Sequence, residues 1–245
     1  MIKHAQTKNR LLLALSDDDF QRLARSARLV DLKRGHVLYE AEAVLDTVWF
    51  PETGLISIMS VMLSGSMIET SVVGREGGLG FIEASGGGVM FSRAIVQVPG
   101  RFLGIPAAAY RAAFDASVSL REIVQEHSEL LVTEARQAMA CIALHKVEQR
   151  LAWWLLEAQD RIGGGAELPL TQEFLAVMLA VRRATVTSHA VKLQDEGLIR
   201  YSRGRITVLD RPGLERRACE CYATTQHFRR RIESGPHPVM IGRAI

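Results

Sequence analysis

Hydrophobic and polar positions change rhythm along the chain, and each rhythm predicts a different kind of element. Leu11–Ala27 reads as a helix. From Val30 to about Ile105 the runs shorten to Thr47–Phe50, Leu55–Leu63, Met67–Val73, Ala94–Val98 and Arg101–Ile105, several alternating apolar and polar residues between Gly35, Gly54, Gly65, Gly74 and Gly100. Short alternating runs with glycine turns predict a small antiparallel barrel or roll. Pro106 suits the start of a helix over Ala107–Asp115. Beyond it, Leu120, Val124, His127, Leu131, Ala135, Ala138 and Ile142 recur at four- and three-residue steps. They draw one apolar stripe along a helix of roughly 25 residues, about 37 Å long. With Glu126, Glu129 and Arg136 outside it, a stripe this narrow suits a two-helix seam. The next helix, Lys146–Arg161, carries Val147, Leu151, Trp154, Leu155 and Ala158 and is expected to pack against the last third of the chain. Ile162–Ala166 is a glycine-rich link.

The last third is the most specific part. Thr171 is a candidate N-cap, Glu173 suits the positive end of the helix dipole, and Phe174, Leu175 and Met178 give an apolar face. Leu179-Ala180-Val181 is expected to make a turn, with Val181 plugging the angle between two helices. A second helix is predicted from about Arg182 to Asp195, ended by Gly197 and closed by Leu198. Val186, Ala190 and Leu193 share its inner side, while Ala184, Thr187, Ser188 and Val191 fall opposite. Arg182 and Arg183 open this helix, where a basic side chain gains nothing from the dipole, so a phosphate or a guanine edge explains them better. Thr185 and Lys192 flank the helix at positions suited to phosphate contacts. Two strand-like runs, Leu198–Tyr201 and Arg205–Leu209, surround Ser202-Arg203-Gly204, a hairpin tip bearing Arg203 and Arg205. Helix, turn, helix and basic hairpin together predict a winged helix-turn-helix that sets one helix in the DNA major groove.

Composition permits this without requiring it. The 245 residues are 48% hydrophobic with a formal net charge of +3, so the distribution of charge matters more than its total. Arg200, Arg203, Arg205, Arg211, Arg216, Arg217 and Arg229–Arg231 crowd the end. No apolar run is long enough for a membrane span, no signal-peptide pattern opens the chain, and three cysteines form no disulfide framework, so a reducing cytoplasm is expected. Cys141 reads as a structural thiol. Cys219-x-Cys221 lacks histidine or cysteine partners nearby in sequence, so no metal site is expected, and isolated His4, His36, His127 and His145 identify no haem ligand. Gly74–Gly80 lacks the Lys-Ser/Thr of a phosphate-binding P-loop.

Taken in order, these parts resemble the Crp/Fnr superfamily of bacterial transcription regulators, over about Leu11 to Leu209. The resemblance implies an α+β chain. An N-terminal antiparallel β-roll of the cyclic-nucleotide-binding type spans residues 1–117, and a long central dimerisation helix spans 118–144. A C-terminal winged helix-turn-helix with a helical tail, starting as a helix around Leu214–Arg231 and fraying after Gly235, fills 145–245. It also implies a homodimer on a double-stranded DNA operator, with RNA polymerase as a further partner and no membrane. The dimer seam would use Leu120, Val124, His127, Leu131, Ala135, Ala138 and Ile142. The DNA contacts would come from Arg182, Arg183, Thr185, Thr187, Ser188, Lys192, Arg203 and Arg205.

The resemblance further implies an effector pocket at Gly77, Gly78, Leu79 and Gly80, with Arg93 in the phosphate-binding position, Ala94 after it, and Ala135 and Arg136 beside the base. Four of these positions depart from the nucleotide-binding pattern. Gly78 stands where a glutamate would accept the ribose hydroxyl, Ala94 replaces a hydroxyl residue, and Ala135 and Arg136 replace small hydroxyl residues on the central helix. No cofactor is therefore expected, and ordinary cyclic AMP binding is disfavoured. Ala184 also stands where the family carries a longer acidic reader, which points to a different operator. The leading expectation is a DNA-binding regulator. A second reading is a cyclic-nucleotide-binding module whose winged helix contacts a protein. Catalysis is not expected, because no nucleophile–base pair or paired-carboxylate constellation is present.

Overall fold

A computed structural model describes residues 3–163, 165–202 and 204–233. After a 3-10 turn at His4–Gln6, the chain runs through α1 (Arg10–Leu13), α2 (Asp17–Ala24), β1 (Arg28–Leu32), β2 (Val37–Tyr39), β3 (Thr47–Pro51), β4 (Leu55–Val61) and β5 (Met67–Val73). It continues with α3 (Phe81–Ser85), β6 (Arg93–Val98), β7 (Gly100–Pro106), α4 (Ala107–Ala116) and the central α5 (Val118–Leu144). The final part comprises α6 (Val147–Ile162), β8 (Glu167–Leu168), α7 (Gln172–Leu179), α8 (Arg183–Asp195), β9 (Ile199–Ser202), β10 (Arg205–Val208), α9 (Arg211–Arg217) and α10 (Cys221–Glu233).

Local chemistry explains where the simple periodic reading slips. The single helix expected over Leu11–Ala27 is two, because Asn9 caps α1 by accepting from Leu12 N–H and Ser16 caps α2 by accepting from Asp19 N–H. Asp17, Asp18 and Asp19 then fill the first turn of α2, where the helix dipole favours negative charge. The tail helix is likewise broken: Ala218 is extended (φ −68°, ψ 157°), separating α9 from α10. Its expected fraying after Gly235 lies outside the described residues.

The strands of the first half form two antiparallel sheets, β1-β7-β3 and β2-β6-β4-β5. Between them lies a core that includes Phe20, Phe50, Phe81, Phe102 and Tyr110, each at most 1% exposed. A second core gathers Leu151, Leu155, Leu175, Val186, Leu193, Ile206 and Leu214, and it also takes in Leu55, Val72 and Val98 from the roll. The C-terminal half is thus packed on the outer face of the four-stranded sheet, with α7 on β5 and α6 on β4. Gly74 is pressed against the end of α6, since a Cβ there would lie 2.6 Å from the Arg161 carbonyl oxygen.

A charge network fastens this junction. Arg161 donates to the Val72 carbonyl at 2.7 Å and pairs with Glu76 at 2.5 Å, Glu134 at 3.1 Å and Glu157 at 3.2 Å. Arg229 from α10 pairs with Glu134 at 2.6 Å and Glu157 at 2.7 Å. Burial penalises the charged forms of Glu76 and Glu134, but the neighbouring guanidinium groups, led by Arg161, outweigh it and hold both carboxyls below their ordinary value.

Glu69 behaves in the opposite way on the neighbouring strand β5. It is buried, and Ser57 donates to it. Burial pushes its carboxyl up to about 8, with the Ser57 hydroxyl and Arg161 pulling weakly the other way. The folded chain therefore holds a proton here that the unfolded chain releases near its ordinary value of 4.5. This contribution to stability is full below 4.5 and is lost as pH rises towards about 8. Glu69→Gln is expected to remove that decline, so melting temperatures of the two proteins should diverge steadily across this window. Parallel melting curves at every pH would contradict a neutral buried Glu69.

Candidate nucleic-acid interface

Helices α7 and α8 meet at a bend of 108°, within the range expected of a helix-turn-helix. Thr171 caps α7 by accepting from Phe174 N–H at 3.3 Å. The turn is made by Ala180 in the left-handed conformation (φ 54°, ψ 45°), a costly setting for a residue with a Cβ. Surrounding structure fixes it: Val181 packs on the second core, and its N–H bonds the Ala176 carbonyl at 3.0 Å. On α8, Val186, Ala190 and Leu193 are buried and hold the helix to that core. Gly197 ends the helix at φ 72°, and Leu198 N–H closes the cap on the Leu193 carbonyl at 3.0 Å. Strands β9 and β10 form the wing hairpin, extended by a third strand the sequence did not announce, β8, through Ile206 opposite Leu168.

The outer side of α8 is open. Arg182, Arg183, Ala184, Ser188, Val191 and Lys192 are exposed, and Thr185 is half-buried on the flank. Thr187 is turned partly inward, its hydroxyl 2.7 Å from Gln172 Oε1 and 3.1 Å from the Arg183 carbonyl, so it joins the two helices more than it faces a groove. Arg205 is exposed beside the tip of the wing, opposite Ser202, while Arg203 lies outside the described residues. Most of the cationic residues have an acidic neighbour that sequence reasoning missed. Arg183 pairs with Glu173 at 2.8 Å, Lys192 with Glu148 at 3.9 Å, and Arg205 with Glu167. Arg217 reaches Glu148 at 2.7 Å and Glu196 at 2.5 Å. Exposed pairs of this kind are weak in water, so a phosphate can displace the carboxylate at little cost.

The expected effector residues are arranged differently from a nucleotide cradle. Leu79 exchanges backbone hydrogen bonds with Trp49 at 2.8 and 2.9 Å, and Gly80 (φ 83°) starts α3. Gly78 lies against the core: a Cβ there would stand 2.7 Å from the Phe50 ring, leaving no room for an acidic side chain. Gly77 is against His127, whose ring meets Phe81 edge-on at 5.3 Å. Burial dominates at His127 and pushes its imidazole below the ordinary value. Arg93 pairs with Glu40 at 3.2 Å and points Nη1 at Met67 Sδ, 3.5 Å away. Ala94 is buried in the sheet, and Ala135 and Arg136 are exposed on α5.

The long helix also divides its stripe. Leu120 and Val124 are 1% and 5% exposed and belong to the core of the roll, with Leu131 packed against it. They do not form an open seam, because the first half of α5 lies across its own β-roll. The open face is Val132, Ala135, Met139 and Ile142, at steps of three, four and three residues, and Val132, Met139 and Ile142 are 49%, 64% and 54% exposed. Ala138 is half-buried beside it. One arrangement is invisible in the linear sequence. Cys219 and Cys221 do have partners: Cys141 and His145, one turn apart near the end of α5, bring their ligand atoms within 4.8 Å of both.

A sequence profile of the Crp-like helix-turn-helix domain matches residues 149–217. Among solved structures, FixK2 from Bradyrhizobium japonicum superposes with a TM-score of 0.67 at 14% identity, covering 79% of this chain and 98% of that one. The chain shares the fold of these structures and carries a Crp-like helix-turn-helix domain near its end. A putative Crp/Fnr-family transcriptional regulator from Eubacterium rectale gives a TM-score of 0.64 at 21% identity, over 84% of this chain and 96% of that one. CLP from Xanthomonas campestris, described as a c-di-GMP responsive global regulator, gives 0.63 at 12% identity over 80% and 100%. At such identities, the Crp/Fnr likeness concerns the fold and leaves the effector unnamed. No curated protein matches the sequence. Among the described residues no single helix is long and apolar enough to cross a membrane.

Proposed function

We propose that this protein is a homodimeric, sequence-specific DNA-binding transcription regulator whose β-roll senses a signal other than cyclic AMP in its usual pose. One observation carries the reading. A helix-turn-helix with a buried inner face presents an outer face opened by Arg182 and Arg183, flanked by Lys192 and backed by a wing bearing Arg205. The exposed surface of α8 otherwise offers small groups, Ala184, Ser188 and Val191, suited to thymine methyls and to close approach of the backbone. Two such helices about 34 Å apart would enter successive major grooves on one face of the duplex.

The nucleotide reading is disfavoured by Phe50 against Gly78, which leaves no room for an acidic acceptor of a ribose hydroxyl. Selection of genomic fragments by the purified protein, with and without cyclic AMP, cyclic GMP and cyclic di-GMP, tests both points together. Enrichment of a two-fold symmetric site is expected, with no change on adding cyclic AMP. Tight nucleotide binding with no affinity for any duplex at low salt would instead favour a protein-contacting winged helix. Arg183→Ala is expected to cost about 1–3 kcal/mol of operator affinity if it reads a base edge. Fluorescence anisotropy on the selected site measures this, and unchanged affinity removes Arg183 from the interface.

A further inference from the structure

Away from the face of α8, the end of α5 lies against the turn between α9 and α10. Cys141 and His145 are four residues apart and so share one side of the end of α5. Cys219 and Cys221, with one residue between them, approach from the break that Ala218 makes after α9. Their ligand atoms all lie within 4.8 Å of one another. Cys141 Sγ is 3.5 Å from Cys219 Sγ, and Cys221 Sγ is 3.4 Å from His145 Nδ1. Ligands bound to one tetrahedral Zn²⁺ at ordinary bond lengths stand about 3.6–3.8 Å apart, so closure needs only small side-chain movements.

The surroundings match a ligated state as well. His145 directs Nδ1 at the cluster while Nε2 lies 3.2 Å from Glu220 Oε2, the carboxylate–histidine arrangement that fixes a metal-binding imidazole. Gln137 donates to Cys221 Sγ at 3.0 Å, as a thiolate would want. All three cysteines are buried, with Trp153 packed on them, and His145 is half-buried at the rim, leaving a way in. Four ligands leave no open position. Three thiolates select a soft or borderline cation, and the group is set too closely to embrace an iron–sulfur cluster, whose thiolates bind separate irons.

We propose that Cys141, His145, Cys219 and Cys221 form a closed, mononuclear Cys3His site for a Zn²⁺-type cation, which staples the end of the dimer helix to the reader. Binding replaces thiol protons by the metal and leaves all oxidation states unchanged. The staple joins residues 74 or more positions apart in sequence, so metal occupancy fixes how the reader stands on α5.

The test uses the full chain, reduced and chelator-treated, titrated with Co²⁺ as a spectroscopic probe. The expected result is one equivalent per chain, with the intense visible bands of a tetrahedral site and thiolate-to-cobalt charge transfer in the near ultraviolet, both erased by one equivalent of Zn²⁺. Cys219→Ser should lose the spectrum, and Glu220→Gln should keep it with affinity weaker by about 10–100-fold. Zn²⁺ should raise the melting temperature of the parent chain but not of Cys219→Ser. Should that variant fail to fold, His145→Gln gives the same comparison from the half-exposed ligand. The proposal is overturned if the reduced parent shows no tetrahedral bands, if the bands survive Cys219→Ser, or if air oxidation to a Cys141–Cys219 disulfide is the only chemistry the cluster performs.

Discussion

Arg161→Ala is expected to separate the two halves of this protein and lower its melting temperature by about 6–20 °C. The loss comes from the charges that would be left behind. Arg161 faces Glu76 of the roll, Glu134 of α5 and Glu157 of α6, whose side chains are 12%, 14% and 4% exposed. Removing one partner of a buried pair typically costs about 3–5 kcal/mol, because the remaining charge keeps its desolvation penalty. Here three carboxylates would lose the guanidinium they share, with Arg229 still beside Glu134 and Glu157. For a chain of this size each kcal/mol moves the melting temperature by about 2–4 °C, which gives the range quoted. The pH dependence supplies a sharper check than the magnitude. In the parent chain, Glu76 and Glu134 are held below their ordinary 4.5, so their contribution is present above 4.5 and fades only in more acid solution. Without Arg161, burial dominates and pushes these carboxyls up, so the variant should regain stability as pH falls from neutrality towards 4.5. A variant that melts within 2 °C of the parent, or whose deficit is independent of pH, would show that the network is decorative.

Much of the architecture is legible because it rests on local patterns. The central helix is found where its apolar steps place it, and the winged helix-turn-helix follows from Thr171, the buried trio Val186, Ala190 and Leu193, and the Gly197 cap. Glycine-punctuated alternation likewise betrays the roll. What escapes is whatever depends on residues distant in sequence. The pairing of Arg183 with Glu173 needs the 108° turn, and β8 acquires meaning only when Ile206 arrives opposite Leu168. The four ligands come from α5 and from the α9–α10 turn, so Cys219-x-Cys221 reads as unpartnered until the chain is folded. The stripe on α5 shows the same limit in another form. Periodicity finds apolar positions but does not say which are covered by the chain's own roll and which are left for a partner.

That distinction decides the second large effect. Met139→Asp is expected to yield a folded monomer whose operator affinity falls by about 10²–10⁴-fold, the advantage that linking two reading modules normally supplies. Met139 is the most exposed of the large side chains Val132, Met139 and Ile142 on this face, and it is absent from both large cores of the chain. An aspartate there remains hydrated in the monomer, whereas across a two-helix seam it faces its own copy and two like charges must be desolvated together. Leu131→Asp is the instructive contrast. Leu131 packs against the core of the roll, so charge at that position unfolds the sensor and reports little about assembly. Analytical ultracentrifugation, circular dichroism and anisotropy on the selected site should therefore give three different answers for the two variants. Met139→Asp keeps its helicity and loses mass and affinity, while Leu131→Asp loses helicity first. A Met139→Asp protein that remains dimeric and binds its operator at full strength would place the symmetric seam elsewhere on the surface.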